Sequence, residues 1–266
     1  MGIYRIADSK ELNIEKTFEC GQCFRWNADE KGIYYGIAGN CPAKVFEEDG
    51  SVFVESEAPD RFWDNYFDMD TDYSKVSEPF LKVPYLDECT KKGMGIRILR
   101  QDPWEALCSF IISQCNNIKR IKGIVERLCS VSGEEMLFLG QKYYSFPTTD
   151  AILGCSEEKL ENLRAGYRVP YIISAAKAVQ SGKIDLEQLG GMNYAEAKRK
   201  LIELDGVGNK VADCVVLFGL HHMEAFPVDV WIKRALEEKF PADFNPESLG
   251  EYAGLAQQYI FYNMRG

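Results

Sequence analysis

Short apolar runs alternate with turn residues over the first 60 positions of the chain. Glycine, asparagine and aspartate separate the runs, and this spacing is typical of paired β-strands. Gly39-Asn40 and Glu48-Asp49-Gly50 have the composition of hairpin turns. The pattern predicts a curved antiparallel sheet with strands at 17–20, 23–26, 33–37, 43–46 and 52–55.

Apolar residues recur with a helical period from 62 to 89, and again almost continuously from 96 to the end. Short connections that contain Gly, Pro or Ser separate these segments. Asp102 stands before one of them and is a residue type that caps helices. The chain is therefore predicted to be α+β, with an antiparallel sheet domain and packed helices at 1–95 and an all-α domain at 96–266. Beyond 96 we predict helices at 103–115, 116–130, 156–163, 170–181, 186–189, 194–204, 209–220, 229–240 and 249–263.

The stretch from 194 to 231 carries the first sign of chemistry. An amphipathic helix is followed by the tight turn Gly206-Val207-Gly208 and by a second helix from Asn209. Two glycines two positions apart suit a turn that needs positive φ and close approach of another backbone. Free amide groups beside a helix N-terminus bind anions. This helix-hairpin-helix pattern predicts contact with a DNA phosphate that is independent of base sequence.

Two side chains near this hairpin suggest catalysis. Lys210 lies in the first turn of the second helix, where the positive end of the helix dipole disfavours an ammonium group. That position favours the neutral amine, which is the nucleophilic form. Asp229 precedes another apolar helix and is predicted to cap it. The structural alternatives are a solvated lysine and a plain N-cap.

The hairpin and the segments around it resemble the helix-hairpin-helix DNA glycosylases, and more narrowly the eukaryotic-type 8-oxoguanine DNA glycosylase/AP lyases. The resemblance extends over nearly the whole chain. A lone L-x-G-V-G would indicate only a DNA-binding hairpin, whereas the combination is specific. The matching segments are CGQCFRW at 20–26, YFDMD at 66–70, RQDPWEALCSFIISQCNNIKRI at 100–121, AGYRVPY at 165–171, GVGNKVADC at 206–214, PVDV at 227–230 and YAGLAQQYIF at 252–261.

The resemblance implies both a fold and a reaction. The N-terminal sheet is expected to resemble half of a TATA-binding protein and to precede a helix-hairpin-helix glycosylase domain. Lys210 is expected to attack C1′ of the damaged nucleotide and displace the base. The resulting Schiff base permits β-elimination of the 3′ phosphate, which is an AP-lyase step. Asp229 is expected to stabilise the oxocarbenium-like sugar.

The resemblance also implies a pocket for a flipped purine. Gln257 matches the residue that reads the Watson–Crick edge, because its amide both donates and accepts. Gly21 matches the residue whose carbonyl accepts from N7–H, a hydrogen that 8-oxoguanine has and guanine lacks. Cys214 and Phe261 match the two faces of the slot, and Pro227 matches the turn before Asp229. Ordinary core packing is the structural alternative for Cys214 and Phe261.

DNA contacts are expected at residues that fill the gap left in the base stack by the flipped nucleotide and that bind the unpaired cytosine opposite it. Position 115, where the family has its plugging Asn, is Cys115, and Asn116 follows one step on. Solvated side chains are the structural alternative. The expected DNA contacts also include the hairpin backbone at Gly206 and Gly208. The orphan-base residues are Asn116, Asn117, Arg120, Tyr167 and Arg168.

Two further features follow from the resemblance. The carbonyls of Ile202, Leu204 and Val207 match a structural site for a monovalent cation, which takes no part in catalysis. Trp231 stands where vertebrate members have a His that contacts phosphate near the lesion. Because Trp can only donate one hydrogen bond and stack, altered docking of the lesion is expected.

The charge and the cysteines limit the partners and cofactors. The formal net charge is −10, but residues 1–95 account for −8 and residues 96–266 for only −2. This balance predicts modest, salt-sensitive affinity for non-specific DNA. Nine scattered cysteines indicate free thiols in a reducing compartment. Cys20-x-x-Cys23 lacks a partner motif for zinc, and no four-cysteine iron–sulfur loop follows the last helix.

No cofactor is expected for the chemistry. We predict a monomeric prokaryotic cytoplasmic enzyme, associated with the nucleoid and not with a membrane, whose partner is double-stranded DNA containing oxidised guanine. Two alternatives remain open. One is a related glycosylase with another lesion preference, and the other is a non-catalytic damaged-DNA-binding module.

Overall fold

The first 56 residues form an antiparallel five-stranded sheet with one inserted helix, α1 (Ile14–Glu19). The computed structural model describes residues 1–265. The spatial order of the strands is β1-β5-β4-β3-β2. The strands are β1 (Gly2–Asp8), β2 (Asn27–Ala28), β3 (Tyr34–Ala38), β4 (Cys41–Glu48) and β5 (Ser51–Ser56).

Three of the predicted strands and both hairpin turns occur in this sheet. Gly39-Asn40 and Asp49-Gly50 have positive φ, as two-residue hairpin turns require. The predicted strand at 17–20 is wrong, because Asn13 caps α1 by accepting from the amide of Lys16 at 2.9 Å. The segment 23–26 is unpaired and leads into β2, and β1 was not predicted.

Helices dominate the rest of the chain, and the predicted α+β class is confirmed. Asp102 caps α5 as predicted, through the amide of Glu105 at 2.8 Å. The helices are α2 (Asp60–Tyr66), α3 (Tyr73–Val76), α4 (Pro84–Gly93), α5 (Pro103–Ser113), α6 (Ile118–Ser132), α7 (Thr149–Leu153), α8 (Glu157–Glu161), α9 (Arg168–Gln180), α10 (Leu186–Gly190), α11 (Tyr194–Ile202), α12 (Asn209–Phe218), α13 (Val230–Lys239) and α14 (Ala253–Arg265), with 3₁₀ turns at Glu78–Lys82 and Pro246–Tyr252.

One part of the second half is not helical. Strands β6 (Glu135–Phe138) and β7 (Gln141–Tyr144) form an antiparallel hairpin. Leu139 and Gly140 at its turn both have positive φ, which suits a two-residue connection. This hairpin corrects the prediction of an all-α second domain. It was not predicted because it has no clear apolar face, and Leu137 is exposed.

Two clusters of buried side chains hold the molecule together. The first lies under the sheet and centres on Phe18, Trp26 and Trp63, with Phe18 stacked on Trp26 at 4.4 Å between ring centroids. The second fills the helical part and includes Phe80 and Leu86 from the α3–α4 region. The exact division at 95/96 stays a prediction.

A buried carboxylate joins the two clusters. Asp68 accepts from Arg100 Nη2 at 2.7 Å and from the Tyr73 hydroxyl at 3.0 Å, and His221 Nε2 lies 3.3 Å from it. Burial by itself would raise the pKa of Asp68. The hydrogen bonds and charges of His221 and Arg100 outweigh burial and lower the pKa to about 2. The ion pair thus ties the end of α2 to the loop that follows α12.

We predict that Asp68→Asn lowers the free energy of unfolding by about 2 kcal/mol at neutral pH, because charged hydrogen bonds are lost in a buried site. The pKa of Asp68 in the folded protein lies below the ordinary value of 3.8 for an aspartate. The stabilisation is therefore present above about pH 4 and is lost as pH falls toward 2. Denaturant unfolding of both proteins from pH 7 to pH 2 measures the difference between their free energies of unfolding. A difference that does not become smaller as pH falls would contradict the prediction.

Candidate active site

The hairpin between α11 and α12 uses its two glycines differently. Gly206 has φ +76°, and a Cβ there would lie 2.3 Å from the ring of Tyr171. Gly208 has φ −95°, so the expectation of a left-handed turn holds only for Gly206. A Cβ at Gly208 would meet no atom within 4 Å. Open space over Gly208 therefore leaves room for another backbone to approach.

The N-terminus of α12 has no side-chain cap, whereas Asn193 and Asp229 cap α11 and α13. Its first amides are free to bind an anion, and the helix dipole favours negative charge there. Among residues 1–265, no hydrogen bond ends on the carbonyls of Ile202 or Val207, while the Leu204 carbonyl accepts from the amide of Val207 at 3.1 Å. This set of carbonyls fits a monovalent cation, which would offset repulsion between carbonyl and phosphate oxygens.

Lys210 turns inward from the first turn of α12. Its Nζ lies 3.3 Å from the Ser113 hydroxyl and 5.2 Å from the centre of the Phe110 ring. The Ser113 hydroxyl donates its one hydrogen to the Phe110 carbonyl at 2.8 Å, so it can only accept from the amine. Ser113 thereby orients Lys210, a role that the sequence did not suggest.

Asp213 and Cys214 follow Lys210 on the same helix but differ in their partners. Asp213 pairs with Lys198 at 2.9 Å and accepts from the Tyr194 hydroxyl at 2.8 Å, so its partners come from α11 and not from Lys210. These bonds fix α11 against α12. Burial raises the pKa of the Cys214 thiol to about 11, although Lys210 lowers it in part. Cys214 therefore stays an uncharged thiol at neutral pH.

Asp229 caps α13 as predicted. Its Oδ1 accepts from the amides of Trp231 at 3.0 Å and Ile232 at 2.9 Å. Both capping bonds end on Oδ1, so Oδ2 is left free for another partner. The adjacent Trp231 is partly exposed and lines the same cleft.

Lys210 and Asp229 lie where two cavities meet. An open cleft of about 520 Å³ is bordered by the α5–α6 loop, Trp231 and Arg265. A smaller inner pocket of about 50 Å³ lies behind it. Both cavities share Gly21, Phe110, Lys210, Asp229 and Phe261. The two reactive groups thus stand at the mouth of the inner pocket.

The inner pocket brings together every residue predicted to bind a flipped base. Its walls include Gly21, Cys214, Pro227, Gln257 and Phe261. Gly21 has φ +80°, and a Cβ there would lie 3.2 Å from the Phe261 ring. The Oε1 atom of Gln257 is buried without a hydrogen-bond partner. Gln258 also lines the pocket, and the sequence analysis had missed it.

Of the predicted orphan-base residues, Asn116 and Asn117 line the cleft, whereas the other three are not among its walls and have different partners. Arg168 is buried and donates to the carbonyls of Gln114, Cys115 and Ala165. Its guanidinium therefore holds the α5–α6 loop. Tyr167 is exposed, and Arg120 reaches only the Arg164 carbonyl at 3.3 Å. Arg120 and Tyr167 therefore have exposed side chains, as does Asn117.

The α5–α6 loop reaches the rim of the cleft. Asn117 caps α6 by accepting from the amide of Arg120 at 2.9 Å, and Asn116 donates to the Ile112 carbonyl at 3.2 Å. Both asparagines shape the loop. Cys115 between them and α5 is exposed and has φ +47°, a strained conformation for a residue with a side chain. The loop thus presents the side chain at position 115.

A positive cluster beside this loop escaped the sequence analysis. Burial, and then the charges of Arg164 and Arg120, lower the pKa of Arg127. Arg127 also donates to the Leu163 carbonyl at 2.9 Å. Three arginines therefore meet on one face, which suits a phosphate backbone. Arg120 and Arg127 are about two turns apart on α6, so the helical period places them on the same side, whereas Arg164 joins them from the segment after α8.

Residues 1–265 contain no group of three or more His, Cys, Asp or Glu side chains arranged to hold a metal ion. Burial raises the pKa of Cys20 to about 12 and that of Cys23 well above its usual value. In the same described part, no helix combines the length and hydropathy that crossing a bilayer requires.

Comparisons with known proteins agree with the fold. The family model for "8-oxoguanine DNA glycosylase, N-terminal domain" matches residues 5–107, and that for "HhH-GPD superfamily base excision DNA repair protein" matches residues 108–249. The "Probable N-glycosylase/DNA lyase" of Methanothermobacter thermautotrophicus is 30% identical over 301 residues, covering 96% of this chain and 94% of the relative.

Two solved structures have the same fold throughout. One is MBOgg1 in complex with a low-affinity DNA ligand, with TM-score 0.92 and 39% identity over 99% of this chain and 94% of that chain. The other is the Clostridium acetobutylicum 8-oxoguanine glycosylase/lyase with dsDNA containing cytosine opposite 8-oxoG. Its TM-score is 0.90 and its identity 34%, over 100% of this chain and 98% of that chain.

The fold and the site define a base-excision DNA glycosylase of the helix-hairpin-helix superfamily. Within that superfamily, the chain belongs to the 8-oxoguanine DNA glycosylase family, whose relatives are N-glycosylases and DNA lyases.

Two substitutions of Asp229 separate its role as a helix cap from the role of its negative charge. Asn also caps helices, so Asp229→Asn should keep the thermal midpoint close to wild type. Excision should fall about 100-fold, because the charge facing the sugar is lost. Asp229→Ala should lose both properties, with about 1 kcal/mol of stability. Single-turnover excision and thermal unfolding measure the two effects, and full activity of the Asn variant would contradict a catalytic carboxylate.

Proposed function

We propose that this protein excises 8-oxoguanine from double-stranded DNA, preferably opposite cytosine, and then cleaves the abasic strand. The observation that carries the proposal is the position of Lys210 and Asp229 at the mouth of a pocket with unpartnered amides. The Clostridium relative was solved with cytosine opposite 8-oxoG, which supports the same substrate here.

The amine of Lys210 is the nucleophile. It attacks C1′ of the flipped nucleotide as the bond from C1′ to the base breaks, and the base leaves with the bonding electrons and takes up a proton. The nitrogen loses its protons, the sugar ring opens, and an imine forms between Nζ and C1′. Loss of a proton from C2′ then expels the 3′ phosphate by β-elimination. Ser113 holds the amine at the mouth of the pocket during attack.

The carboxylate of Asp229 stabilises the positive charge that develops on the sugar. Its Oδ1 is fixed by two amides of α13, so the group does not need to reorganise during the reaction. The free Oδ2 is the oxygen that faces the sugar. When the bound nucleotide displaces water from the cleft, this interaction becomes stronger than it would be in bulk solvent.

Discrimination against guanine depends on the backbone of Gly21. No hydrogen bond within residues 1–265 ends on the Gly21 carbonyl, which leaves it free to accept from N7–H of the lesion. A site with a buried hydrogen-bond partner rejects an analogue that lacks the matching group. Gln257 reads the Watson–Crick edge, while Cys214 and Phe261 contact the two faces of the base.

The hairpin and the arginine cluster bind the DNA backbone. The free amides at the start of α12 donate to the oxygens of a phosphate, and the space above Gly208 allows its close approach. A monovalent cation on the Ile202, Leu204 and Val207 carbonyls supports that contact. We further propose a monomer that needs no cofactor and works in the cytoplasm beside the nucleoid, since the substrate is engaged from one side.

Lys210→Gln tests the nucleophile. Wild-type protein should form a covalent adduct with 8-oxoguanine-containing duplex in the presence of borohydride, because borohydride reduces the imine. The Lys210→Gln variant should bind the same duplex and form no adduct. Lys183→Gln is the matched control, since Lys183 is exposed on a distant turn. Trapping by the Lys210 variant would refute the assignment, and no trapping by wild type would favour a damage-binding module.

Arg120→Gln tests the reading of the opposite base. Wild-type excision should be fastest opposite cytosine and slower opposite A, G and T. The variant should narrow this preference about tenfold, since one specific side-chain contact to a base edge is lost. Arg199→Gln, exposed on α11, is the control. An unchanged preference in the Arg120 variant would remove Arg120 from recognition of the orphan base.

The second candidate function is the excision of a different oxidised purine. The presence of Trp231 in this chain is the observation that favours it. Trp231 lines the cleft beside Asp229, where vertebrate relatives have His. A panel of oxidised purines in the same trapping assay distinguishes the two candidates.

A further inference from the structure

Arg265 lies in the last turn of α14 and borders the open cleft, yet the chemistry proposed for Lys210 and Asp229 does not use it. Its side chain is exposed, and its guanidinium carbon lies 5.3 Å from the centre of the Phe261 ring. Burial raises the pKa of the Cys20 thiol to about 12, and the charge of Arg265 is among the groups that lower it in part. The charge of Arg265 therefore lies close to both cavities.

Arg265 is the one charged group of the cleft that the reaction leaves over. Among residues 1–265, three charged side chains line the cleft, namely Lys210, Asp229 and Arg265. The first two are needed beside the sugar. The guanidinium of Arg265 lies over the Phe261 ring but donates to no carboxylate or carbonyl in the same part of the chain. Its N–H groups are therefore available to a ligand that enters the cleft.

A purely structural role for Arg265 would be to stabilise the end of α14. A cation in the last turn of a helix interacts favourably with the negative end of the helix dipole. Any exposed position in the last turn would serve that purpose. Arg265 instead lies on the face that carries Phe261 one turn earlier, which is the face that borders the cleft.

A nucleotide that enters the cleft brings two negative charges with it, because one phosphate is attached on each side of its sugar. The start of α12, which carries Lys210, has free amides that suit one of these phosphates. Arg265 is the cation of the cleft that suits the other, since a guanidinium can bind a phosphate through two parallel hydrogen bonds. Two anions thus meet two sites that favour negative charge.

We propose that Arg265 binds a phosphate of the flipped nucleotide and so holds its sugar beside Lys210 and Asp229. The contact forms only when a nucleotide leaves the duplex and enters the cleft. Arg265 is thus a substrate-binding residue for the flipped state, and this inference rests on the proposed function of the site.

The test measures equilibrium binding in the Lys210→Gln background, where no chemistry follows, with three duplexes of one sequence. They contain 8-oxoguanine, a tetrahydrofuran abasic analogue that keeps both phosphates but has no base, or undamaged guanine. Adding Arg265→Gln should weaken binding of the first two about tenfold. The slope of log Kd against log salt should become shallower by about 0.9 for both, since one phosphate contact is lost. Binding of undamaged duplex should change less than about threefold, because its guanine stays in the stack.

Two further variants serve as controls. Arg265→Lys keeps the positive charge and should keep the slope. Arg61→Gln removes an exposed arginine of α2 that does not line the cleft, and it should leave all three affinities unchanged.

An unchanged slope with Arg265→Gln would overturn the inference. A loss confined to the 8-oxoguanine duplex would also overturn it, because it would indicate contact with the base. An equal loss on undamaged DNA would do the same, because it would indicate contact outside the cleft. If the Lys210→Gln protein binds all three duplexes equally, the proposed function fails, and this inference fails with it.

Discussion

The side chain of Gln22 joins parts of the chain that are far apart in sequence. Its Nε2 donates to the carbonyls of Thr17 and Arg97, and its Oε1 accepts from the amide of Leu99 at 2.9 Å. The residue is fully buried, so every one of these bonds is shielded from water. Gly21 stands directly before it and is thereby carried to the wall of the inner pocket. The segment between α1 and β2 thus contributes a backbone atom to a site whose reactive side chains come from the helical part of the chain.

The charged groups of the site are held in fixed positions before any substrate binds. The amine of Lys210 lies beside a hydroxyl that already donates its hydrogen to a carbonyl, and the carboxylate of Asp229 accepts from two backbone amides. Asp213 is neutralised by Lys198, so it does not compete for the amine of Lys210. One amine and one carboxylate oxygen are left without strong partners beside the pocket. Such preorganisation lowers the cost of stabilising charge during a reaction.

Much of this arrangement could be predicted from the sequence, because the signals were local. The hairpin glycines, the Asp229 cap and the α5 cap depend on residues within a few positions of one another. What could not be predicted depends on distant contacts. Asn13 turned a predicted strand into α1, and the arginine cluster forms only when α6 meets the α8–α9 loop. Arg168 has the expected position, yet its burial against loop carbonyls is a tertiary property.

The size of the inner pocket sets a condition on catalysis. A cavity of about 50 Å³ has room for only a few water molecules, and a purine needs more. Phe261 packs against Gly21 across the pocket, and Arg265 lies over the Phe261 ring at 5.3 Å. The inner pocket is continuous with the wider cleft along Gly21, Phe110, Lys210, Asp229 and Phe261, so a purine bound there has to extend into the cleft. Its sugar would then stand beside Lys210 and Asp229, where the proposed chemistry takes place.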